Sequence, residues 1–124
     1  MLNYLLVFAG GGLGAAARYG LQGLIYEKTG TGFPYGTLVV NVLGCLVIGA
    51  LMSAMEERFL VHPSVRIFLT IGVLGGFTTF SSFGFETVSL FRDGEIFLGL
   101  TNAIGTMVLC LVGTWIGMLL GKLI

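Results

Sequence analysis

Residues 75–84 read Gly75-Gly76-Phe77-Thr78-Thr79-Phe80-Ser81-Ser82-Phe83-Gly84, four hydroxyls close behind a pair of glycines. Glycine weakens a helix interior, and Ser and Thr offer the backbone alternative hydrogen bonds. If the run interrupts a helix, the carbonyls that end its first half carry partial negative charge and can coordinate a cation. The amides that open the second half favour an anion. Phe80 and Phe83 are three residues apart and share one face of that second half, where their electropositive ring edges can face an anion. The alternative is a continuous helix whose hydroxyls bond back to their own carbonyls, with the two phenylalanines serving as ordinary packing. A cluster of hydroxyls behind Gly-Gly favours the break.

Further polar groups recur at helical spacing. Thr37 and Asn41 are four apart, and Asn102, Thr106 and Cys110 are also spaced by four, so each set forms a stripe able to face a bundle interior. Asn and Thr are neutral donors, able to replace water around a small anion without trapping it as a lysine would. Interhelical hydrogen bonding explains a lone buried Asn equally well. Two charges, Arg18 and Glu86, fall within apolar segments. Arg18 is either a snorkelling side chain or part of a vestibule, and Glu86 either reaches the headgroups or acts as a functional acid, without a titratable partner nearby.

The elements that must position these groups are membrane spans. Of 124 residues, 56% are hydrophobic and only 10% charged, with zero net charge, against about 25% charged in a soluble domain. Mean hydropathy is +1.00. Such a chain cannot cover a water-facing surface, and it shows neither the composition of disorder nor the basic patch of a nucleic-acid binder. A hydrocarbon core of about 30 Å needs about 20 residues of helix. Four stretches qualify: Leu2–Ile25, Gly36–Met55, Ile67–Leu90 and Ile96–Gly121, within one domain covering residues 1–124. Membrane strands would alternate apolar and polar residues, and runs such as Met107-Val108-Leu109-Cys110-Leu111-Val112 do not.

Ala15-Ala16-Ala17 imitates a signal cleavage site, but Met1-Leu2-Asn3-Tyr4 lacks a basic n-region, so the first segment reads as a retained helix. Cys45 and Cys110 fall inside spans as small packing residues, since no further Cys or His stands at ligand spacing. His62 reads as a solvated loop residue. Gly10 and Gly14, and then Gly113, Gly117 and Gly121, mark faces where helix backbones approach closely. Gly12, Gly14 and Ala17 loosely imitate a dinucleotide fingerprint, without the strand that such a site requires.

With four spans, Arg58, Arg66 and Lys122 stand on one side of the bilayer, and Lys28, Arg92 and a snorkelling Arg18 on the other. Orientation follows Lys/Arg asymmetry, and here there is almost none. The expectation is insertion both ways round and an antiparallel dimer, with a single orientation fixed by other features as the alternative.

The run at 75–83 followed by Glu86-Thr87, the pattern Gly36-Thr37-Leu38-x-x-Asn41-x-x-Gly44, and the opening Gly-Gly-x-Gly-Ala-Ala-Ala-Arg ending at Arg18 resemble the small fluoride channels known as Fluc or CrcB. The match runs through all four spans. It implies a passive, fluoride-selective channel that sheds cytoplasmic fluoride across the bacterial inner membrane through two pores of a dual-topology homodimer. It further implies a sodium ion at the dimer centre, held by the backbone carbonyls of Gly75 and Thr78. Phe80 and Phe83 would line the pores, Asn41 would contribute to the pathway, and Arg18 would lie near an aqueous entrance. Thr79, Ser82 and Thr87 resemble polar-track positions, and Glu86 the track's acidic member. Thr37 opens the second-span pattern. Thr106 and Cys110 occupy places where relatives often carry hydroxyls; Cys110 departs from that pattern, and Asn102 from a commonly aromatic position.

The fold expected is thus an all-α membrane protein: four transmembrane helices with the third broken at mid-membrane, paired as an antiparallel homodimer. The partners expected are fluoride and the lipid bilayer, with no nucleic acid. A rival is a small dual-topology, proton-coupled multidrug or cation exporter. That chemistry needs a central carboxylate, and Glu86 is well off centre. No nucleophile–base pair or metal cluster points to an enzyme.

Overall fold

The computed structural model describes residues 1–58 and 61–124, and all regular structure among them is helical. Helix α1 is Leu2–Thr29 and α2 is Tyr35–Glu57. The third span is two half-helices. The first, α3, runs through an α turn at Pro63–Arg66, a π-helical stretch at Ile67–Leu74 and a last α turn at Gly75–Phe77. The second, α4, is Phe80–Arg92, and α5 is Ile96–Leu123. Each helix overruns the span expected from the apolar pattern by a few residues, because helical winding continues into the polar flanks. Tyr35–Glu57, 63–92 and Ile96–Leu123 are each long and apolar enough to cross a membrane. At 28 residues, α1 reaches about 42 Å, although Arg18 and its glycines dilute its hydropathy.

Turn chemistry fixes the connections. Gly30 and Gly94 adopt φ of 72° and 80°, a left-handed conformation open to glycine, and they end α1 and reverse the chain between α4 and α5. His62 is more than a solvated loop residue: its Nδ1 accepts the Ser64 amide at 3.2 Å, and Pro63 opens the helix behind it.

The bundle consists of two parallel helix pairs laid antiparallel to each other. In the first pair, α1 runs along α3: a Cβ at Gly10 would lie 2.7 Å from the Phe68 carbonyl oxygen, and one at Gly14 would strike that of Val73. In the second, α5 runs along α2, with Gly113, Gly117 and Gly121 against Val42, Leu46 and Ala50. Both glycine stripes therefore pack helices, as their spacing predicts. Lipid supplies no hydrophobic force between helices, so close backbone approach does the work. Among the described residues the buried apolar side chains are accordingly few, namely Val40, Ala54 and Leu74. Short α4 closes the bundle, lying against both α5 and α2.

Candidate functional site

The third span breaks at Thr78 and Thr79, which adopt extended backbone (φ −86°, ψ 158° and φ −149°, ψ 113°). The glycine pair does not itself form the break, since Gly75 and Gly76 are still helical. Gly76 is needed for another reason: a Cβ there would strike the Gly11 backbone of α1.

A buried side chain holds the break open. Asn41 on α2 donates its Nδ2 to the Thr79 carbonyl at 2.9 Å and accepts the Thr79 amide on Oδ1 at 2.8 Å. The side-chain amide thus replaces a peptide partner for both polar groups of an extended residue, which satisfies backbone that lipid would leave unpaired. Thr79 also caps α4, its Oγ1 accepting the Ser82 amide at 3.2 Å. Gly44, one turn beyond Asn41, leaves the space that the Thr78 methyl fills.

These two devices divert two amides. In a continuous helix the Thr79 amide would bond the Gly75 carbonyl, and the Ser82 amide would bond that of Thr78. Here they go to Asn41 and to the Thr79 hydroxyl. The break leaves the last carbonyls of α3 without helical donors, and the two that the resemblance assigns to sodium are among them. Both residues line one groove, and hard carbonyl oxygens suit a hard cation. Two oxygens are too few for a cation site in one chain, and a second copy doubles them. The residues present fit the ion.

The groove encloses about 460 Å³ beside the break, with Asn41, Thr79, Phe80, Phe83 and Thr106 among its lining residues. Its walls are mostly apolar carbon, so an anion inside meets few polar groups. The Phe80 and Phe83 ring centroids lie 5.5 Å apart and the planes are inclined by 44°. Phe80 is 84% exposed, which turns its ring outward from the single chain.

Two polar seams flank α4. On the α2 side, Thr79, held by Asn41, donates its Oγ1 to Ser82 Oγ within the first turn of α4 at 3.0 Å, and further along Thr37 of α2 donates to Glu86 Oε1 at 2.8 Å. Thr37 in turn accepts from Gln22 Nε2 at 3.1 Å and lies 3.4 Å from the Tyr26 hydroxyl. The second Glu86 oxygen is buried without a partner among the described residues. Toward α5, Asn102 donates to Thr87 at 2.8 Å and accepts from Thr106 at 3.2 Å, while Thr87 donates to the Phe83 carbonyl at 2.7 Å.

The structure thus gathers Thr37, Asn41, Thr79, Ser82, Phe80, Phe83, Glu86, Thr87 and Thr106 around α4, with Gly75 and Thr78 at its origin. Arg18 is half-buried on α1 and makes no hydrogen bond or ion pair among the described residues. Cys45 and Cys110 carry free thiols and line the groove from α2 and α5. Sequence reasoning missed Gln22 and Tyr26. Their spacing of four on one face of α1 is a signal, but it points nowhere until α2 is placed beside them.

A polytopic helical membrane protein with an interrupted span and neutral donors beside the interruption is built to pass or hold an ion. Comparison with known proteins makes the class specific. The profile described as "CrcB-like protein, Camphor Resistance (CrcB)" matches residues 5–118. Proteins named "Fluoride-specific ion channel FluC" are similar across nearly the whole length. That of Solibacter usitatus (strain Ellin6076) is 46% identical over 121 residues, covering 98% of this chain and 99% of the relative. That of Geobacter sulfurreducens is 45% identical over 122 residues, 98% of each. That of Opitutus terrae is 49% identical over 119 residues, 94% of this chain and 90% of the relative. The chain belongs to the CrcB family.

Proposed function

We propose that the protein is a fluoride-selective ion channel that releases cytoplasmic fluoride passively from bacteria through two pores of an antiparallel, dual-topology homodimer in the inner membrane. The names of its relatives support fluoride as the ion. The observation that carries the mechanism is the Asn41 clamp on Thr79, which holds open a mid-span break lined by neutral donors.

Fluoride is small and strongly hydrated, so it crosses apolar surroundings only where donors replace its water at each point. Asn41 has a second amide hydrogen beyond the one given to Thr79. Ser82 follows it along α4, and the Thr37–Glu86 pair marks the end of that seam. Phe80 and Phe83 line the groove beside these groups, and their electropositive ring edges suit an anion. None of these groups is a fixed cation, so none holds the ion tightly. The Gly75 and Thr78 carbonyls of two chains would hold a sodium ion at the dimer centre. When bound, that ion supplies positive charge that offsets part of the cost of an anion in low dielectric. Arg18 contributes at an aqueous entrance, outside the hydrogen-bonded seams.

Direction needs no energy source of the protein's own. Hydrogen fluoride, a neutral weak acid, enters from acidic surroundings and dissociates inside, and the membrane potential drives the anion out. Nothing in this requires bond chemistry, and the protein acts as a channel and not as an enzyme. A cation exporter is not favoured, because Glu86 sits near the end of the bundle in a hydrogen bond with Thr37 and no carboxylate stands at mid-span. Purified protein in liposomes tests the reading. Fluoride efflux with chloride retained is the expected result, and proton-driven uptake of an organic cation without fluoride efflux would replace it.

A further inference from the structure

The seam between α4 and α5 has a sense that can be read from its shortest bond. Thr87 lies 2.7 Å from the Phe83 carbonyl, which can only accept, so the one hydroxyl proton of Thr87 is committed there. The group of Asn102 that faces Thr87 must then be its donor, the Nδ2 amide, at 2.8 Å. That leaves Oδ1 facing Thr106 at 3.2 Å, and Thr106 must spend its own proton on it. Every hydroxyl proton of the seam is consumed within it. Thr106, which lines the groove, turns lone pairs and not a proton toward an occupant. Asn102 is 2% exposed, too enclosed to reach an occupant itself.

The α2 side differs. Ser82 accepts from Thr79, and its own proton has no acceptor among the described residues. Asn41 likewise keeps one amide hydrogen beyond the bond to Thr79. Thr101 and Thr114 show what an α5 threonine does otherwise: each bonds the carbonyl four residues back, at 2.7 and 3.0 Å. Only where Asn102 stands is a threonine proton on this helix drawn to a side chain.

Resting on the fluoride-channel reading, we propose that Asn102 is a positioning residue that fixes the sense of the chain Thr106→Asn102→Thr87→Phe83 and makes α5 the acceptor wall of the pathway. The α2 side of α4, through Asn41 and Ser82, is the donor wall. A fluoride ion beside Thr106 therefore meets α5 through a water that gives one hydrogen to the threonine and the other to the ion. Two positions that resemble anion-track members, Thr87 and Thr106, act here as internal acceptors and donors and not as ligands of the ion.

Two measurements on the full chain test this. In lipid nanodiscs, the side-chain amide resonances of Asn102 report the sense without any flux. Thr87→Val is expected to shift one Asn102 amide proton upfield, and Thr106→Val to leave that pair in place; the reverse pattern overturns the proposal. Titration with sodium fluoride, against sodium chloride as control, is expected to move the Asn41 amide resonances and not those of Asn102. Equal movement of both overturns the donor–acceptor division. In liposomes, Ser82→Ala is expected to slow fluoride efflux at least about tenfold more than Thr106→Val does, the worth of one hydrogen bond to a charged group. A slower Thr106→Val overturns the proposal. Absence of fluoride efflux from the unsubstituted chain would sink the channel reading instead, and the Asn102 resonances would still report the sense of the seam.

Discussion

Before the break, α3 offers α1 a face of glycine and backbone, and its one mid-helix hydroxyl, Thr70, bonds its own Arg66 carbonyl at 2.8 Å. After the break, α4 carries hydrogen-bonding side chains on both flanks, meeting α2 through Glu86 and Thr37 and α5 through Thr87 and Asn102. One span thus contains a half that is anchored by close approach and a half that is held by directional polar contacts. The first kind of contact tolerates no added atom, whereas the second tolerates shape change but not loss of a donor. The division places rigidity where the two half-helices must be aimed and polarity along the proposed path of the ion.

The largest effect is expected on the anchored half. Gly14→Leu forces a side chain into the Val73 carbonyl, and overpacking of that kind costs about 3 kcal/mol or more where backbone cannot yield. Size-exclusion chromatography should show no assembled protein. Gly84→Ala on α4, where a Cβ meets nothing within 4 Å, should assemble normally. If Gly14→Leu assembled as well, the contrast between the halves would be lost.

Next comes the clamp. Asn41→Leu removes both bonds to Thr79, each worth about 1 kcal/mol net and more when a buried partner is stranded. Fluoride efflux should fall at least about 100-fold in whatever protein still assembles. Phe80→Ile and Phe83→Ile remove ring edges but little volume, and each should slow efflux by about tenfold while leaving assembly intact. Unchanged efflux in both would remove the ring edges from the mechanism. The smallest effect belongs to Gln22→Ala, which deletes one support of the Thr37 hydroxyl. About a fivefold slowing is expected, and none if the Thr37–Glu86 pair stands without α1.

The spans, the glycine stripes and the break were legible because each leaves a signature within one segment: apolar length, small residues at helical spacing, hydroxyls behind Gly-Gly. The position of the break was legible only approximately. Glycine pairs mark weak helix, yet Gly76 serves contact with Gly11, and the backbone changes course at Thr78, where Asn41 supplies an alternative partner. That partner lies 38 residues away in sequence, and no local pattern connects the two. The same holds for the seams. Thr37 and Asn41 announce a polar face of α2, but the pairing of Thr37 with Glu86 and of Asn102 with Thr87 depends on how the helices are rotated. Arg18 is the converse case, conspicuous in the sequence as a charge among apolar residues but without a hydrogen-bonding or ionic partner among the described residues.

The charge count bears on assembly: four spans would put Arg58, Arg66 and Lys122 on one side of the bilayer and Lys28, Arg92 and a snorkelling Arg18 on the other. A C-terminal tag should therefore be accessible from both sides in comparable amounts. Strictly one-sided labelling would remove the antiparallel dimer and, with it, the doubling of the Gly75 and Thr78 carbonyls.

Passage of the ion at the break held by Asn41 is tested most directly by comparing the unsubstituted chain with Asn41→Leu in liposomes loaded with both fluoride and chloride, at matched amounts of reconstituted protein. Fluoride loss with chloride retained is expected for the first and retention of both halides for the second. Equal loss of chloride and fluoride, or fluoride loss from Asn41→Leu at the unsubstituted rate, would contradict it.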